Sequence, residues 1–267
     1  MEKKYNCDTV HKHVPLESLT SNDPDVNKLR PGQLLTRLDQ ASIAYIPLGT
    51  VEWHGRHNPL GVDTIKAEAL CQSCAKITGG IVMPPIYGAA DAHWDAGHGI
   101  GIGMDAVAGF MLPGNYYHVE TSVLVGYIGS IVKNLLDRGI KMVVLISGHN
   151  PPVQDDMMKQ IAYQFKHDNG LEPVLAFMEF EALEDGHPLK YGDHAGGYET
   201  SYMMHLCPDL VDLSKNDKML IEDLGVGTEI PVKESNADLG RQHFEIQIET
   251  LSKRIINSYE QLTKKDL

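Results

Sequence analysis

The run Lys141-Met142-Val143-Val144-Leu145-Ile146-Ser147-Gly148-His149-Asn150 constrains the fold of this chain more than any other stretch. Its apolar positions are continuous rather than alternating. That is the pattern of a strand buried on both faces, and such strands belong to parallel sheets covered by helices. The run ends in Gly-His, so the strand delivers an imidazole at its carboxyl end. A second apolar run, Ile43-Ala44-Tyr45-Ile46, leads into Leu48-Gly49-Thr50-Val51-Glu52-Trp53-His54-Gly55-Arg56-His57-Asn58-Pro59-Leu60-Gly61-Val62-Asp63. Glu52 and His54 are two apart, so an extended backbone points both side chains to one side. Gly55, Pro59 and Gly61 form a turn region able to bring Asp63 back toward them. Two carboxylates and an imidazole converging at a strand end make an N/O ligand set for a divalent transition metal. Read alone, the stretch fits a solvated polar loop as well.

Asp193-His194-Ala195-Gly196-Gly197-Tyr198-Glu199-Thr200-Ser201 places Asp, His and Glu at the start of a third apolar segment. Open parallel sheets bind ligands at the carboxyl ends of their strands, and three separate segments now offer His or carboxylate at such a place. Between them the chain alternates strands and helices. Strands are expected at 42–47, 81–83, 142–146 and 173–178, and helices at 33–38, 64–77, 120–139, 153–167, 198–206 and 242–264. Asp63 or Thr64 is a candidate N-cap for the helix at 64–77. Val123, Ile128, Ile131, Val132, Leu135 and Leu136 give the helix at 120–139 an apolar face. We read one α/β domain over 1–267, with an N-terminal arm at 1–34 and a long loop insertion at 86–118.

That insertion is rich in Gly, His and aromatic residues, which suits a lid or an interface arm. Its run Gly97-x-Gly99-x-Gly101-x-Gly103 has neither a preceding strand nor dinucleotide-fingerprint spacing, so it is not read as a nucleotide cradle. Leu224-Gly225-Val226-Gly227-Thr228 likewise reads as a turn. Cys71 and Cys74 fall inside a helical stretch. A redox pair belongs at a helix N-terminus, so core-facing thiols are the better reading, with a redox or zinc pair as the alternative. A net charge of −13 over 267 residues argues against nucleic-acid and anionic-membrane partners. The basic residues near Met1 have no apolar stretch behind them, which points to a cytoplasmic chain.

Taken together, Leu48 to Gly55, Pro59 to Asp63, Ser147 to Asn150, and Asp193 to Gly196 with Glu199-Thr200-Ser201 resemble the creatininase (creatinine amidohydrolase) family. The motifs come in the family's order and span about residues 35–215. The resemblance implies a three-layer α/β/α sandwich with a mostly parallel central sheet. It implies hydrolysis of an amide-type C–N bond in a small molecule at a site of one or two divalent metal ions (zinc, manganese or iron). It further implies a closed homo-oligomer, commonly a hexamer. By family match the metal ligands are Glu52, His54, Asp63, His149 and Glu199, with Asp63 able to bridge two ions. His194 falls on the catalytic histidine and is expected to act as general acid. Asp193 either orients that imidazole or caps the helix carrying Glu199.

The departures bear on substrate. Creatininases carry a metal-binding glutamate two positions after the Gly-His histidine, where this chain has Pro151. They place a tryptophan upstream of the catalytic histidine, where this chain has Lys190 and Tyr191. Creatinine itself is therefore not the expected substrate; a cyclic amide or formamide is. Arg56, in a slot that is usually proline, is either a substrate contact or a salt-bridging loop residue. Two other readings stand beside the amidohydrolase. One is a non-catalytic metal-binding scaffold; the other is a two-metal phosphoesterase, which needs a cationic phosphate clamp that only Arg56 suggests.

Overall fold

A computed structural model describes residues 13–95, 100–183, 193–215, 226–227 and 230–264 of the chain. The central strands β1 (Ile43–Gly49) and β6 (Met142–Ser147) are buried at every position. With β2 (Ile81–Val82) and β7 (Val174–Met178) they form a parallel sheet in the order β2-β1-β6-β7, and β3 (Ile86–Tyr87) joins β1 beyond β2. The register sets Ile43 opposite Met142 and Leu48 opposite Ser147. Parallel neighbours cannot be joined by tight turns, so helices return the chain. They include α2 (Val62–Thr78) after β1, α4 (Thr121–Asp137) before β6 and α5 (Pro152–Gln164) before β7.

Alternate residues of the central strands serve opposite faces. Ala44, Ile46, Leu48, Val143 and Leu145 pack with Leu124, Ile128 and Val132 of α4 and Met157 and Ile161 of α5. Ile43, Tyr45, Met142, Val144 and Ile146 pack with Leu70, Cys71 and Cys74 of α2 and with Leu251 and Ile255 of α7 (Ala237–Thr263). The result is the expected three-layer α/β/α sandwich. Both α2 cysteines face the core, and burial pushes the thiols up, Cys74 to about 11 and Cys71 well above its usual value. They fit the structural reading. Among the described residues no helix is long and apolar enough to cross a membrane.

Pro47 sits in the interior of β1, where a missing N–H would ordinarily break a ladder. The carbonyls of Ser42 and Leu48 accept from the β6 side, and those of Tyr45 and Gly49 accept from Met83 and Gly88 on the other. Pro47 shares the parity of Tyr45 and Gly49. The absent donor therefore faces the edge where Pro84 and Pro85 already separate β2 from β3.

Several sequence expectations change in detail. Strand β1 continues to Gly49, two residues past Pro47. The buried face of α4 uses Leu124, Ile128 and Val132, so Val123 is turned outward and is 57% exposed. Helix α1 (Pro31–Gln40) begins inside the expected arm. Residues 13–30 lie against the chain's own body: Glu17 donates its N–H to the Gly32 carbonyl, and Asp25 bridges in parallel to Val82 at the β2 edge. Residues 1–12, 96–99, 190, 191, 224, 225 and 228, on which parts of the arm, glycine-run and departure readings fall, lie outside the described residues.

The 86–118 segment has structure of its own. It forms an antiparallel pair, β4 (His93–Asp95) with β5 (Ile100–Ile102), and a short helix, α3 (Asp105–Ala108). Asp105 is buried at its centre and accepts from the backbone N–H groups of Ile102 and Leu112 and from the Asn115 side chain. Asn115 in turn accepts from the Trp53 N–H at 2.8 Å, which ties the segment to the loop after β1.

Candidate metal centre

The ligand-type residues converge because two glycines let α2 close on the strand ends. A Cβ at Gly49 would lie 2.5 Å from the Thr64 nitrogen, and one at Gly148 would lie 2.1 Å from the Asp63 carbonyl oxygen. Helix α2 starts earlier than the sequence suggested, with Gly61 in the capping position. Asp63 is thus not its N-cap. Freed from capping, the Asp63 carboxylate turns inward and lies between two imidazoles, with Oδ1 3.2 Å from His54 Nε2 and Oδ2 3.2 Å from His149 Nδ1.

Glu52 and His54 leave β1 together, as their spacing requires. Glu52 Oε1 lies 3.2 Å from His149 Nδ1 and 3.8 Å from His54 Nε2. Glu199, in the first turn of α6 (Gly197–Leu206), brings Oε2 to 3.6 Å from His54 Nε2. One ligand atom each from His54, Asp63 and Glu199 lie within 4.8 Å of one another, as do atoms from Glu52, His54 and His194. All five residues expected as ligands therefore meet at the carboxyl ends of β1 and β6.

Burial alone would discharge these groups, and their mutual fields prevent it. Burial works against the charged form of His54, yet Asp63, Glu199 and Glu52 raise its pKa to about 9. His149 is likewise raised by Glu52, Asp63 and Asp91, while the two imidazoles hold the Asp63 carboxyl well below its usual range. Such a cluster calls for concentrated positive charge. Two of its inward-facing atoms, His54 Nε2 and Asp63 Oδ2, are buried with no hydrogen-bond partner among the described residues. A divalent ion with borderline ligand preference suits this N/O set.

His194 stands at the rim, its ring 4.5 Å from that of His54. Its Nε2 donates to the Trp53 carbonyl at 2.6 Å, which leaves Nδ1 without a proton and facing Glu52 Oε1 at 3.7 Å. Burial and His54 lower its pKa, so the ring is neutral near pH 7. Asp193 takes the capping role of the two left open. Its oxygens accept from the N–H groups of Tyr198 and Glu199 at 2.8 and 3.0 Å, so it acts through the helix that carries Glu199. Burial and the neighbouring Glu199 raise its carboxyl to about 7. Arg56 is exposed.

Several residues of the site went unread in the sequence. Lys66 is fully buried and donates to Glu179 Oε1 at 2.7 Å and to Glu199 Oε1. That contact turns the other Glu199 oxygen toward the cluster, where it also accepts from the Ala195 N–H at 2.7 Å. Ala195 holds φ of 55°, the left-handed region, and its carbonyl accepts from buried His57. A signal existed for two of these. Lys66 is three residues after Asp63, on the same helical face, and Glu179 follows β7 as Glu52 and His149 follow their strands. Asp91 and His118 also enter the cluster, from the 86–118 segment. The site opens into a cavity of about 340 Å³ lined by Glu52, Asp63, Asp91, His149, His194 and Glu199, among others. A larger cavity of about 560 Å³, beside Lys141 and Pro173, lies at the opposite strand ends, away from this chemistry.

Residues 28–252 match the profile of the creatininase family, described as creatinine amidohydrolase. The chain is an enzyme of the creatininase family. Its similar relatives differ in what they act on. A creatinine amidohydrolase of Pseudomonas putida is 27% identical over 65% of this chain and 67% of that protein. A mycofactocin precursor peptide peptidase of Mycolicibacterium smegmatis is 26% identical over 84% of this chain and 75% of its own length. A 3-dehydro-scyllo-inosose hydrolase of Thermotoga maritima is 25% identical over 67% of this chain and 55% of its own length. Among solved structures, a Zn–Zn form of creatininase superposes with a TM-score of 0.69 at 20% identity, covering 90% of this chain and 99% of that one. A Mn form gives 0.69 at 21% identity, over 89% and 99%. At these identities the structural likeness speaks for the fold of this creatininase-family chain.

Proposed function

We propose that this chain is a metal-dependent hydrolase that cleaves an amide-type C–N bond, in a cyclic amide or a formamide, and that creatinine is not its substrate. The observation that carries this reading is the buried convergence of His54, Asp63 and Glu199, with Glu52 and His149 beside them, under a cavity that a small molecule can enter. These five residues would hold one or two divalent ions, with zinc the first expectation and manganese or iron the others. An ion bound there supplies Lewis acidity toward a carbonyl oxygen and makes water more acidic. The Trp53 carbonyl holds His194 in the tautomer whose Nδ1 is bare. His194 therefore accepts a proton at Nδ1 from the attacking water and returns it to the departing nitrogen, acting as base and then as acid. Lys66 and the Ala195 N–H fix the direction of Glu199, and Asp193 anchors the first turn of its helix.

Two observations weigh against the other readings. The described lining of the cavity contains no Lys or Arg, and Lys66 is committed to Glu179 and Glu199. A phosphate ester would meet carboxylates without a clamp. The ligand set and His194 are all present, which a scaffold would not need. The test is metal analysis of purified protein, followed by a screen of lactams, hydantoins, formamides and short peptides for metal-dependent amine release. Release that persists unchanged after the metal is removed would overturn the reading. The same family reading extends to assembly as a closed homo-oligomer, most simply a hexamer. Exposed Tyr87, Phe110, Met111, Tyr116 and Tyr117 support an interface at the 86–118 segment.

A further inference from the structure

Beside the group of His54, Asp63 and Glu199 lies a second convergence that includes two side chains with no role in the reading above. The 86–118 segment brings Asp91 to 3.5 Å from His149 Nε2, and His118 Nε2 to 3.6 Å from Glu52 Oε2. One ligand atom from each of Glu52, Asp91, His118 and His149 lies within 4.8 Å of all the others. The His118 side chain is 1% exposed, yet among the described residues neither of its ring nitrogens has a hydrogen-bond partner, and His149 Nε2 has none either. An imidazole buried with both nitrogens unanswered is costly, because it has given up water for nothing. Here it faces two carboxylates and another imidazole, so a cation between them would answer all four groups.

We propose that Asp91 and His118 complete a second metal position with Glu52 and His149, so that the 86–118 segment is a ligand-bearing arm of a two-metal centre. This rests on the reading of the His54, Asp63 and Glu199 group as the first position. Asp63 fits between the two, with one oxygen toward His54 and the other toward His149. Two imidazoles and two carboxylates select a borderline transition ion such as zinc, manganese or iron over magnesium or calcium, which prefer all-oxygen shells. The arm also explains how the site tolerates Pro151 beside His149, since ligands come from a segment distant in sequence.

The experiment counts metal ions, independently of turnover. Apo protein is titrated with zinc, and bound metal is then measured by elemental analysis after desalting; cobalt(II) substitution gives a parallel spectroscopic count. Wild type should take about two equivalents per chain, and Asp91→Asn and His118→Ala about one each, since each removes a ligand from one position only. In those two variants the cobalt spectrum should lose the component of one site and keep that of the other. Asp91→Asn preserves volume, so it serves where His118→Ala fails to fold. Two retained equivalents in both variants would overturn the arm while leaving the first position intact. So would a single wild-type equivalent that His54→Ala abolishes and His118→Ala does not. A wild-type protein that takes up no ion would overturn both this inference and the proposed function.

Discussion

Replacing Lys66 with methionine tests the electrostatic frame of the site. The lysine is fully buried, donates at 2.7 Å to Glu179 and also donates to Glu199, and lies 3.9 Å from Asp63. Methionine fills similar space and removes the charge. What remains is a pair of buried carboxylates; among the described residues Glu179 keeps Asn150 as its one side-chain donor, at 3.4 Å. Stranding one side of a buried ion pair costs about 3–5 kcal/mol. Spread over 267 residues at roughly 2.1 cal/mol/K per residue of unfolding entropy, that corresponds to a fall in Tm of about 5–9 °C. The deficit should depend on pH. Burial already lifts the Glu179 carboxyl to about 7 in spite of Lys66, while Lys66 helps hold Glu199 below its usual value. Without Lys66 both rise further in the folded state, so the variant's folded form holds extra protons and the loss relative to wild type grows as pH rises above roughly 4.3. Urea melts of metal-free protein at pH 8 and pH 5 measure this, with the larger deficit expected at pH 8. Lys66→Met combined with Glu179→Gln should recover much of the loss, because one stranded charge is gone. Metal affinity should fall by about 10–100-fold, since Glu199 loses the contact that aims it. A single variant within about 1 kcal/mol of wild type at both pH values would refute the assignment of Lys66 as the counter-charge of this cluster.

His194→Ala should keep its metal and fold and lose turnover by roughly 10²- to 10⁴-fold; loss of the metal instead would make His194 a ligand. Gly148→Ala should destabilise by about 1–3 kcal/mol and weaken metal binding, because its Cβ would drive the Asp63 backbone from the β6 end; parallel urea melts and zinc titrations check both. In a thiol-reagent assay, Cys207 should react in the native protein while Cys71 and Cys74 react only on unfolding, since of these three described cysteines only Cys207 is partly exposed. Light scattering should show a closed oligomer, and Tyr116→Ser with Tyr117→Ser should weaken it; a wild-type monomer would remove the interface reading.

The sequence carried the sheet through local pattern, and the strand ends pointed to Glu52, His54, Asp63 and His149; the choice of Glu199 as the fifth ligand came from the family resemblance. Continuous apolar runs identify β1 and β6, and residues that follow a buried strand must emerge at its carboxyl end. Lys66 escaped because a lysine is ordinarily solvated, and only the fold reveals the two carboxylates that meet it. Asp91 and His118 escaped for a different reason. Their positions depend on a hairpin, a one-turn helix and the Asp105 hub, all set by tertiary contacts rather than by periodicity. The role of Asp193 was half legible: an acid shortly before a helix suggests a cap, but only the paired contacts to Tyr198 and Glu199 decide it.

Ala195 carries a consequence for engineering. A left-handed alanine costs roughly 1–2 kcal/mol, and glycine at the same place would relieve it while giving back roughly 0.5–1 kcal/mol to the freedom of the unfolded chain. A stability screen could therefore favour Ala195→Gly. The strained backbone is also what aims one peptide N–H at Glu199 and the carbonyl at His57. The substitution would set a third glycine beside Gly196 and Gly197, loosening the link between His194 and the helix that carries Glu199. At this residue selection for a higher melting temperature and selection for a working site pull in opposite directions, so variants chosen on heat resistance alone are prone to lose function first here.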